Sequence, residues 1–129
     1  QQALAGAPLR IFGNGQQKRS FLHVRDALQA ITGLMNTPAA FGEVFNVGNP
    51  FEITIEELAR RIISLAGSSS QLTYVDYEQA YGLGFEDMNR RTADVSKLQS
   101  VLGFEVEYDL DALLTDIIAA HRQDASVHK

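Results

Sequence analysis

The sequence predicts a small α/β or α+β lobe in which short strands are interleaved with about four helices. Three observations lead to this prediction. The chain has 129 residues, a length that suits one domain with one hydrophobic core. Its apolar residues alternate over short runs, which is typical of short strands. Longer runs carry apolar residues at spacings of three and four, which is typical of amphipathic helices.

The first third of the chain predicts two short strands around a polar turn, followed by a helix. The strands are residues 9–12 and residues 21–24, and Gly13-Asn14-Gly15 between them favours a turn because glycine tolerates positive φ. Asp26 is the predicted N-cap of the helix. Thr37-Pro38 ends that helix, since proline cannot continue it.

The middle of the chain predicts a third strand and the most clearly marked helix. Residues 44–47 read as the strand. Thr54 and Glu57 then have the spacing of a capping box, with Thr54 at the N-cap and Glu57 at N3. The polar run that begins at Gly67 ends this helix. Its apolar face continues at helical spacing through Ile55, Leu58, Ile62 and Leu65.

The last third predicts a strand, a long loop and two helices. Residues 72–75 read as the strand, and residues 76–93 as a loop of a length that is often functional. Asp94 is the predicted cap of a short helix that closes at Gly103. Residues 123–129 are expected to form a frayed tail. The final helix is built on Leu110, Leu113, Leu114, Ile117 and His121.

The charge distribution excludes several classes of function. The net charge is −5 and the pI about 5.1, whereas a nucleic-acid-binding domain normally has a high pI. Residues 1–25 nevertheless carry four basic residues and no acid. A small anion therefore remains a possible ligand. The chain has no cysteine and no long apolar run, so disulfides, thiolate metal sites and membrane spans are not predicted, and a cytoplasmic location is favoured.

Familiar catalytic and metal-binding motifs are missing from the sequence. It has no G-x-G-x-x-G, P-loop, G-x-S-x-G or H-E-x-x-H pattern. His23 and Asp26 lie three residues apart at a predicted strand-to-helix junction, where a packed histidine is favoured over a catalytic one. His128 falls in the tail. The acids Asp76, Glu78, Glu86 and Asp87 lack the alternation of a calcium loop, which favours a solvated acidic segment and no metal site.

Residues 13–26 carry the most information about function. They place a tight turn, then Arg19 at the entrance of a predicted strand, then a helix. An arginine in this position can clamp a phosphate through two parallel hydrogen bonds. It can equally be a surface charge, and the spacing alone does not choose between the two.

This segment resembles a signature of the extended short-chain dehydrogenase/reductase family of nucleotide-sugar epimerases, dehydratases and decarboxylases. The signature reads G-x-G-x-Q-x-R-x-F-x-[HY]-V-x-D, and the chain matches it at Gly13, Gly15, Gln17, Arg19, Phe21, His23, Val24 and Asp26. Further matches follow in the family's order. They are Phe45-Asn46-Val47-Gly48, Glu57-Leu58-Ala59 with Ile62, Arg91-Thr92-Ala93-Asp94-Val95-Ser96-Lys97 (where Ala93 replaces the usual proline), and Leu102-Gly103-Phe104.

The resemblance implies that residues 1–129 are a single C-terminal lobe that binds the nucleotide-diphosphate end of a sugar nucleotide. Arg19 and Arg91 would contact the diphosphate, with Arg90 as a second candidate beside Arg91. Phe12 and Gln17 would border the nucleobase and ribose. A UDP-sugar is the favoured ligand, and Tyr81-Gly82 with residues 84–88 resembles a loop that would suit a lid over it.

The same resemblance implies that the chemistry belongs to a part of the parent enzyme outside this chain. In the family, NAD takes a hydride from the sugar and a Tyr-x-x-x-Lys pair supplies the base. Neither the glycine-rich NAD loop nor that pair is found in this sequence. No catalytic residue is therefore predicted. The resemblance implies that the parent uses NAD bound by a Rossmann domain and can act as a homodimer, and that the isolated chain is inactive.

Two other classes of function are left open. The chain could be a stand-alone, non-catalytic module that binds a nucleotide or a protein, or it could be an oligomerisation lobe. The first five residues have a helix-forming composition without a cap, which suggests an element cut by the start of the chain. In a nucleotide titration, a nucleotide-binding lobe would respond to the ligand, whereas an oligomerisation lobe would not.

Overall fold

The computed structural model describes residues 1–85 and 87–127, which divide into two compact units. The first unit contains Gln1–Arg19, Ile53–Arg90 and the chain from Leu114, and the second contains Ser20–Glu52 and Arg91–Leu113. In chain order the elements are β1 (Leu9–Phe12), β2 (Lys18–Arg19), α1 (Val24–Met35), a 3-10 turn (Pro38–Ala40), β3 (Ile53–Thr54), α2 (Ile55–Ala66), β4 (Leu72–Val75), α3 (Tyr77–Tyr81), β5 (Arg90–Arg91), α4 (Ser96–Leu102) and α5 (Leu110–Val127). The α+β class that the sequence predicts is confirmed.

Two small sheets form the framework of the first unit. β1 pairs with β4 in parallel, with Leu9 opposite Leu72 and Phe12 opposite Val75. β2 pairs with β3 antiparallel, and the Lys18 N–H donates to the Asn89 carbonyl at 2.8 Å just before β5. The predicted strands at residues 9–12 and 72–75 are therefore confirmed.

Helix α2 begins and ends as the sequence predicts. The Thr54 hydroxyl accepts from the Glu57 N–H at 3.1 Å, and the Glu57 carboxylate accepts from the Thr54 N–H at 3.2 Å, which completes the capping box. The Thr54 hydroxyl also donates to the Glu57 carboxylate at 2.9 Å, and this hydrogen bond, followed by the one from the Thr54 N–H, lowers the pKa of Glu57. Gly67 ends the helix with φ of 60°. The apolar face of α2 contributes Ile62, Leu65 and Ala66 to a small core. The same core contains Ala3, Leu4, Leu9 and Ile118.

The second unit is built around a core between α1 and α4. Ala30 of α1 and Leu98 of α4 are fully buried together with Val95 and Phe104. Gly103 closes α4 in the left-handed conformation, as predicted. Partly buried apolar side chains surround this core: Leu22, Leu34, Phe45, Val47, Ala93, Leu102 and Val106.

The predicted cap of α1 is wrong, because the helix begins three residues earlier than the sequence indicates. His23 is the N-cap, and its Nδ1 accepts from the Arg25 N–H at 3.1 Å while its ring stacks on Tyr108. Asp26 instead lies inside the helix with no solvent exposure. Its two carboxylate oxygens accept from the Glu107 N–H at 3.2 Å and the Tyr108 N–H at 3.3 Å. Asp26 therefore ties the helix to a distant segment.

Two predicted strands are not formed among the described residues. Residues 21–23 have no strand partner, and Val24 already belongs to α1. Residues 44–47 are not assigned to a strand. The predicted long loop at 76–93 is partly regular, since it contains α3 and β5. Short alternating runs indicate an extended backbone, whereas strand formation also requires a neighbour that a local pattern does not reveal.

The ends of the last two helices also differ from expectation. Asp94 lies one residue before the N-cap of α4 and accepts from the Ser96 N–H at 3.0 Å and the Ser96 hydroxyl at 2.6 Å, which lowers the pKa of Asp94. Helix α5 extends to Val127, well into the segment predicted to fray, while His128 lies outside the described residues.

A search of the described residues finds no helix both long enough and apolar enough to cross a bilayer. Within the same residues, no three side chains of His, Cys, Asp or Glu are grouped so that they could hold a metal ion.

Candidate functional site

A polar cleft opens in the first unit at the end of the paired strands β1 and β4. Its volume is about 600 Å³. The turn after β1 and the turn after β4 form two of its walls, and the start of α2 forms a third. The lining residues are Gly13, Asn14, Gln17, Glu56, Tyr74, Asp76, Tyr77, Asp87 and Asn89.

Gln17 lines this cleft and has a buried acceptor without a partner among the described residues. The residue is only 9% exposed, and its Nε2 donates to the Phe12 carbonyl at 2.9 Å. That bond fixes the orientation of the amide. Its Oε1 is buried and has no hydrogen-bond partner in the described part of the chain. A buried acceptor without a donor costs free energy, so a ligand or an ordered water that donates to Gln17 Oε1 would recover it.

Arg19 lies on β2 beside the cleft and is held on several sides. Its Nη2 contacts Asp87 Oδ1 at 2.6 Å, and its Nη1 donates to the Met88 carbonyl at 2.8 Å and to the Lys18 carbonyl at 2.8 Å. The Arg19 side chain is 21% exposed. The guanidinium is thus rigidly placed, and an incoming anion would compete with the Asp87 carboxylate for it.

Asp87 links Arg19 to Tyr77 on α3. The Tyr77 hydroxyl donates to Asp87 Oδ2 at 2.9 Å. Burial, and then the hydrogen bond to the Asp87 carboxylate, raise the pKa of Tyr77. Tyr77 also explains why residue 13 is glycine, since a Cβ at Gly13 would lie 2.4 Å from the Tyr77 ring. The turn after β1 and helix α3 are therefore packed directly against each other.

An aromatic cluster extends from β1 into the segment after α3. Phe12 and Tyr81 have ring centroids 5.4 Å apart, and Tyr81 stacks on Phe85 at 4.4 Å. Tyr77 lies 5.5 Å from Phe85. These rings hold residues 82–85 near the turn that carries Gln17.

The charges that line the cleft are acidic. Glu56 accepts from Arg60 at 2.7 Å, and this contact with a hydrogen bond from Tyr74 lowers the pKa of Glu56. Asp76 and Asp87 add two further carboxylates. Such a lining favours a neutral group with N–H or O–H donors, such as a nucleobase or a ribose, over a phosphate. The cation suited to a phosphate is Arg19, beside the cleft.

The predicted site residues fall into both units. Phe12, Gln17 and Arg19 belong to the first unit and are brought together around the turn after β1. Arg91 begins the second unit and is exposed. Arg90, the other arginine considered for this position, is exposed and belongs to the first unit.

Sequence reasoning missed the roles of Tyr77 and Asp87. The sequence predicts Asp87 as part of a solvated acidic segment and of a lid-like loop, whereas it pairs with Arg19. The two residues are separated by 68 positions, so no local spacing predicts the pair. The mixture of aromatic and acidic residues in the predicted loop was the available signal.

Known proteins place the chain in one family. Residues 1–117 match the sequence profile described as GDP-mannose 4,6 dehydratase. The chain belongs to this family.

Curated relatives are larger than the chain. A UDP-N-acetyl-alpha-D-glucosaminuronate decarboxylase from Bacillus cytotoxicus is 35% identical over 94% of this chain and 37% of its own length. The UDP-glucuronic acid decarboxylase 1 of Xenopus tropicalis is 32% identical over 95% of this chain and 27% of its own length. The chain therefore spans about a third of the length of these family members.

Two solved structures share the fold of the chain. A UDP-glucose 4-epimerase from Thermotoga maritima, solved with UDP-glucose, superimposes with a TM-score of 0.83 at 24% identity, over 96% of this chain and 38% of the epimerase. A dTDP-glucose 4,6-dehydratase from Bacillus anthracis, solved in complex with NAD, gives a TM-score of 0.81 at 25% identity, over 97% of this chain and 38% of that enzyme.

The residues described here do not fit an NAD site. A dinucleotide site needs a glycine-rich turn that leads from a parallel strand into a helix N-terminus. In this chain Gly13-Asn14-Gly15 leads from β1 into the short strand β2 instead.

Proposed function

We propose that the chain is the nucleotide-diphosphate-sugar-binding lobe of an NAD-dependent sugar-nucleotide epimerase, dehydratase or decarboxylase. Residues 1–129 act in this proposal as one lobe of a longer cytoplasmic enzyme, which also contains a Rossmann domain that binds NAD and can form a homodimer. A UDP-sugar is the preferred ligand, because the decarboxylases to which the chain is similar carry UDP-sugars in their names.

The free acceptor of Gln17, placed in a cleft beside Arg19, carries the proposal. A nucleobase or ribose offers the N–H or O–H donors that Gln17 Oε1 and the acidic lining can accept. Phe12, whose ring faces Tyr81, supplies an aromatic surface at the same turn. A neutral ring system in the cleft and an anion at its edge together describe a nucleotide.

Arg19 is the proposed contact for the diphosphate. Two of the carbonyls around it fix the guanidinium plane, which reduces the entropy lost when a phosphate binds. The phosphate would replace Asp87 as the anionic partner. Arg91 is proposed as a second diphosphate contact on the strength of its motif alone, and it is exposed and therefore accessible.

The lobe would contribute to catalysis by holding the sugar nucleotide far from the reacting carbon. Binding energy from such remote contacts positions the sugar for a reaction that residues outside this chain perform. The chain itself contains no Tyr-x-x-x-Lys pair. We therefore expect the isolated chain to bind nucleotides weakly and to turn over no sugar nucleotide.

Calorimetric titration of the chain tests this function. We expect UDP to bind more tightly than uridine, because Arg19 contributes only when phosphates are present. dTDP, GDP and NAD complete the panel and identify the base. A chain that is folded by circular dichroism but binds none of these ligands at millimolar concentration would contradict the proposal.

A further inference from the structure

The turn between β1 and β2 contains the one asparagine of this chain that a glycine follows. Asparagine stands at positions 14, 36, 46, 49 and 89, and only Asn14 has glycine after it. Glycine places no side chain between its own nitrogen and the carboxamide of the preceding residue. The pair Asn14-Gly15 is therefore the place in the chain where a backbone nitrogen can approach an asparagine Cγ with the least steric hindrance.

The fold requires glycine at position 15. Gly15 has a φ of 74°, a conformation that residues with side chains adopt rarely. A Cβ at this position would lie 3.0 Å from Glu56 Cβ and 3.2 Å from Ile11 Cγ2. The close approach of α2 to the turn thus excludes the larger residues that would hinder an attack by the nitrogen of residue 15.

The carboxamide of Asn14 is held in an orientation that suits this attack. Asn14 Oδ1 accepts from the Gln16 N–H at 3.0 Å. The ring that this hydrogen bond closes contains the Gly15 backbone, so it keeps the Asn14 side chain folded back over Gly15. The same bond draws electron density from Cγ and stabilises the negative charge that forms on Oδ1 during the attack. Asn14 is exposed, so the leaving nitrogen can depart into solvent.

The attacking nitrogen is not committed to the backbone network. Among the described residues, the Gly15 N–H donates to no backbone carbonyl, whereas the Gly15 carbonyl accepts from the Glu56 N–H at 3.0 Å. On the other side of Asn14, the Gly13 N–H donates to the Val75 carbonyl at 2.9 Å. The turn is therefore anchored at both ends, while the peptide nitrogen between Asn14 and Gly15 has no backbone hydrogen bond to break.

We propose that Asn14 is a self-modification site, at which the turn converts its own asparagine into a carboxylate without an enzyme. The Gly15 nitrogen attacks Asn14 Cγ, so that the N–Cγ bond forms and the Cγ–Nδ2 bond breaks. The proton lost from the Gly15 nitrogen leaves with Nδ2 as ammonia, and a five-membered cyclic imide results. Water then opens the imide. Its attack at Cγ yields aspartate, and its attack at the main-chain carbonyl carbon of residue 14 yields isoaspartate, so the sequence of steps needs no oxidant or reductant.

The modification would place a new charge in the cleft. Asn14 lines the cleft together with Glu56, Asp76 and Asp87, and either product adds a carboxylate to theirs. A further negative charge repels a phosphate and leaves the binding of a neutral nucleoside almost unchanged. This consequence rests on the proposed function, whereas the modification itself does not.

Peptide mapping by mass spectrometry tests the site directly. The folded full chain is incubated at neutral to mildly alkaline pH, and deamidation is followed as a gain of about one dalton in the peptide that contains each asparagine. We expect Asn14 to be modified at least about tenfold faster than Asn36, which is exposed as well but is followed by the β-branched Thr37. A chain that stays folded by circular dichroism and is modified equally fast at both positions, or at neither, would overturn the proposal.

Two variants separate this chemistry from other changes in the turn. Asn14→Ser keeps a side-chain acceptor for the Gln16 N–H but has no carboxamide, so its turn peptide should gain no mass. An equal gain in Asn14→Ser would overturn the assignment to Asn14. Asn14→Asp carries the product from the start, and we expect it to bind UDP about threefold more weakly than the unaltered chain and uridine equally well.

The two measurements keep this proposal and the nucleotide-binding function apart. Rapid modification of Asn14 in a chain that binds no UDP contradicts the nucleotide-binding function and supports the modification site. UDP binding by a chain in which Asn14 stays unmodified contradicts the modification site alone. Equal UDP affinities of Asn14→Asp and the unaltered chain would overturn the effect given to the new charge.

Discussion

The two units of the molecule keep different kinds of groups unsatisfied. The first unit leaves a buried acceptor, Gln17 Oε1, without a partner among the described residues, on a side chain that lines its cleft. The second unit leaves apolar side chains and strand-like backbone exposed, at α1 and residues 44–48. Polar groups placed in a concave site favour a small polar ligand, whereas open apolar faces favour another protein surface. The difference teaches that one chain can carry a concave polar site and an exposed apolar face in separate units.

The largest expected effect is on the stability of the second unit. Asp26→Ala removes the acceptor of the Glu107 and Tyr108 N–H groups. We expect the free energy of unfolding to fall by about 3 kcal/mol, because two buried N–H groups are then left without a hydrogen bond. Chemical denaturation measures it. Asp109→Ala, which removes only the exposed cap contact to Ala112, should cost about 1 kcal/mol. Equal losses would contradict the role given to Asp26.

The next effect should be confined to ligand binding. Arg19→Ala removes the proposed diphosphate contact, and we expect UDP to bind at least about tenfold more weakly by calorimetry. Arg10→Ala is the matched control, because Arg10 is an exposed cation on β1 of the same unit. If both substitutions weaken UDP equally, the effect is one of net charge, and the specific role of Arg19 is contradicted.

The sequence predicts contacts between neighbouring residues better than contacts between distant ones. The capping box of α2 was predicted correctly because all its contacts lie within four residues. The turn at Gly13 and the placement of Gln17 and Arg19 beside it were predicted from one continuous motif. Asp26, by contrast, was misassigned as a cap, because its partners lie more than 80 residues away.

The candidate site shows the same limit. The family resemblance predicts Phe12, Gln17 and Arg19 as ligand contacts, but no motif indicated that Asp87 pairs with Arg19. The strand at 44–47 was predicted from its local sequence alone. The described residues contain no partner for it, since pairing depends on a neighbour that the local pattern does not contain.

Removal of the N-cap of α2 should have a moderate effect on the stability of the first unit. Thr54→Ala should lower the free energy of unfolding by about 1 kcal/mol, because the Glu57 N–H loses its acceptor. Thermal denaturation gives the value. Ser64→Ala on the exposed face of the same helix should be neutral or slightly stabilising. A neutral Thr54→Ala would show that the capping box contributes nothing to the stability of this unit.

Asp87→Asn should strengthen binding by a smaller factor. The substitution removes the carboxylate that competes with phosphate for Arg19, so we expect UDP affinity to rise about threefold. Asp76→Asn removes a carboxylate from the same cleft and should change affinity by less. Weaker binding by Asp87→Asn would show instead that Asp87 positions Arg19 for the ligand.

The smallest effect concerns alkaline pH. The pKa of Tyr77 is raised in the folded chain, so its ionisation favours unfolding. Its contribution to stability is fully present below the unfolded tyrosine pKa of about 10 and is lost as pH rises through the higher folded value. The free energy of unfolding, measured by denaturation between about pH 9 and 11, should therefore fall less steeply with rising pH in Tyr77→Phe than in the unaltered chain. An unchanged slope would contradict this role.

Residue-resolved NMR of the full chain during a UDP titration tests the central claim most directly. The claim is that the first unit holds the nucleotide at the turn after β1. We predict the largest amide shifts at residues 12–19 and 87–89, around Gln17 and Arg19. Largest shifts on α1 of the second unit, or no shifts in a folded sample at millimolar UDP, would contradict it.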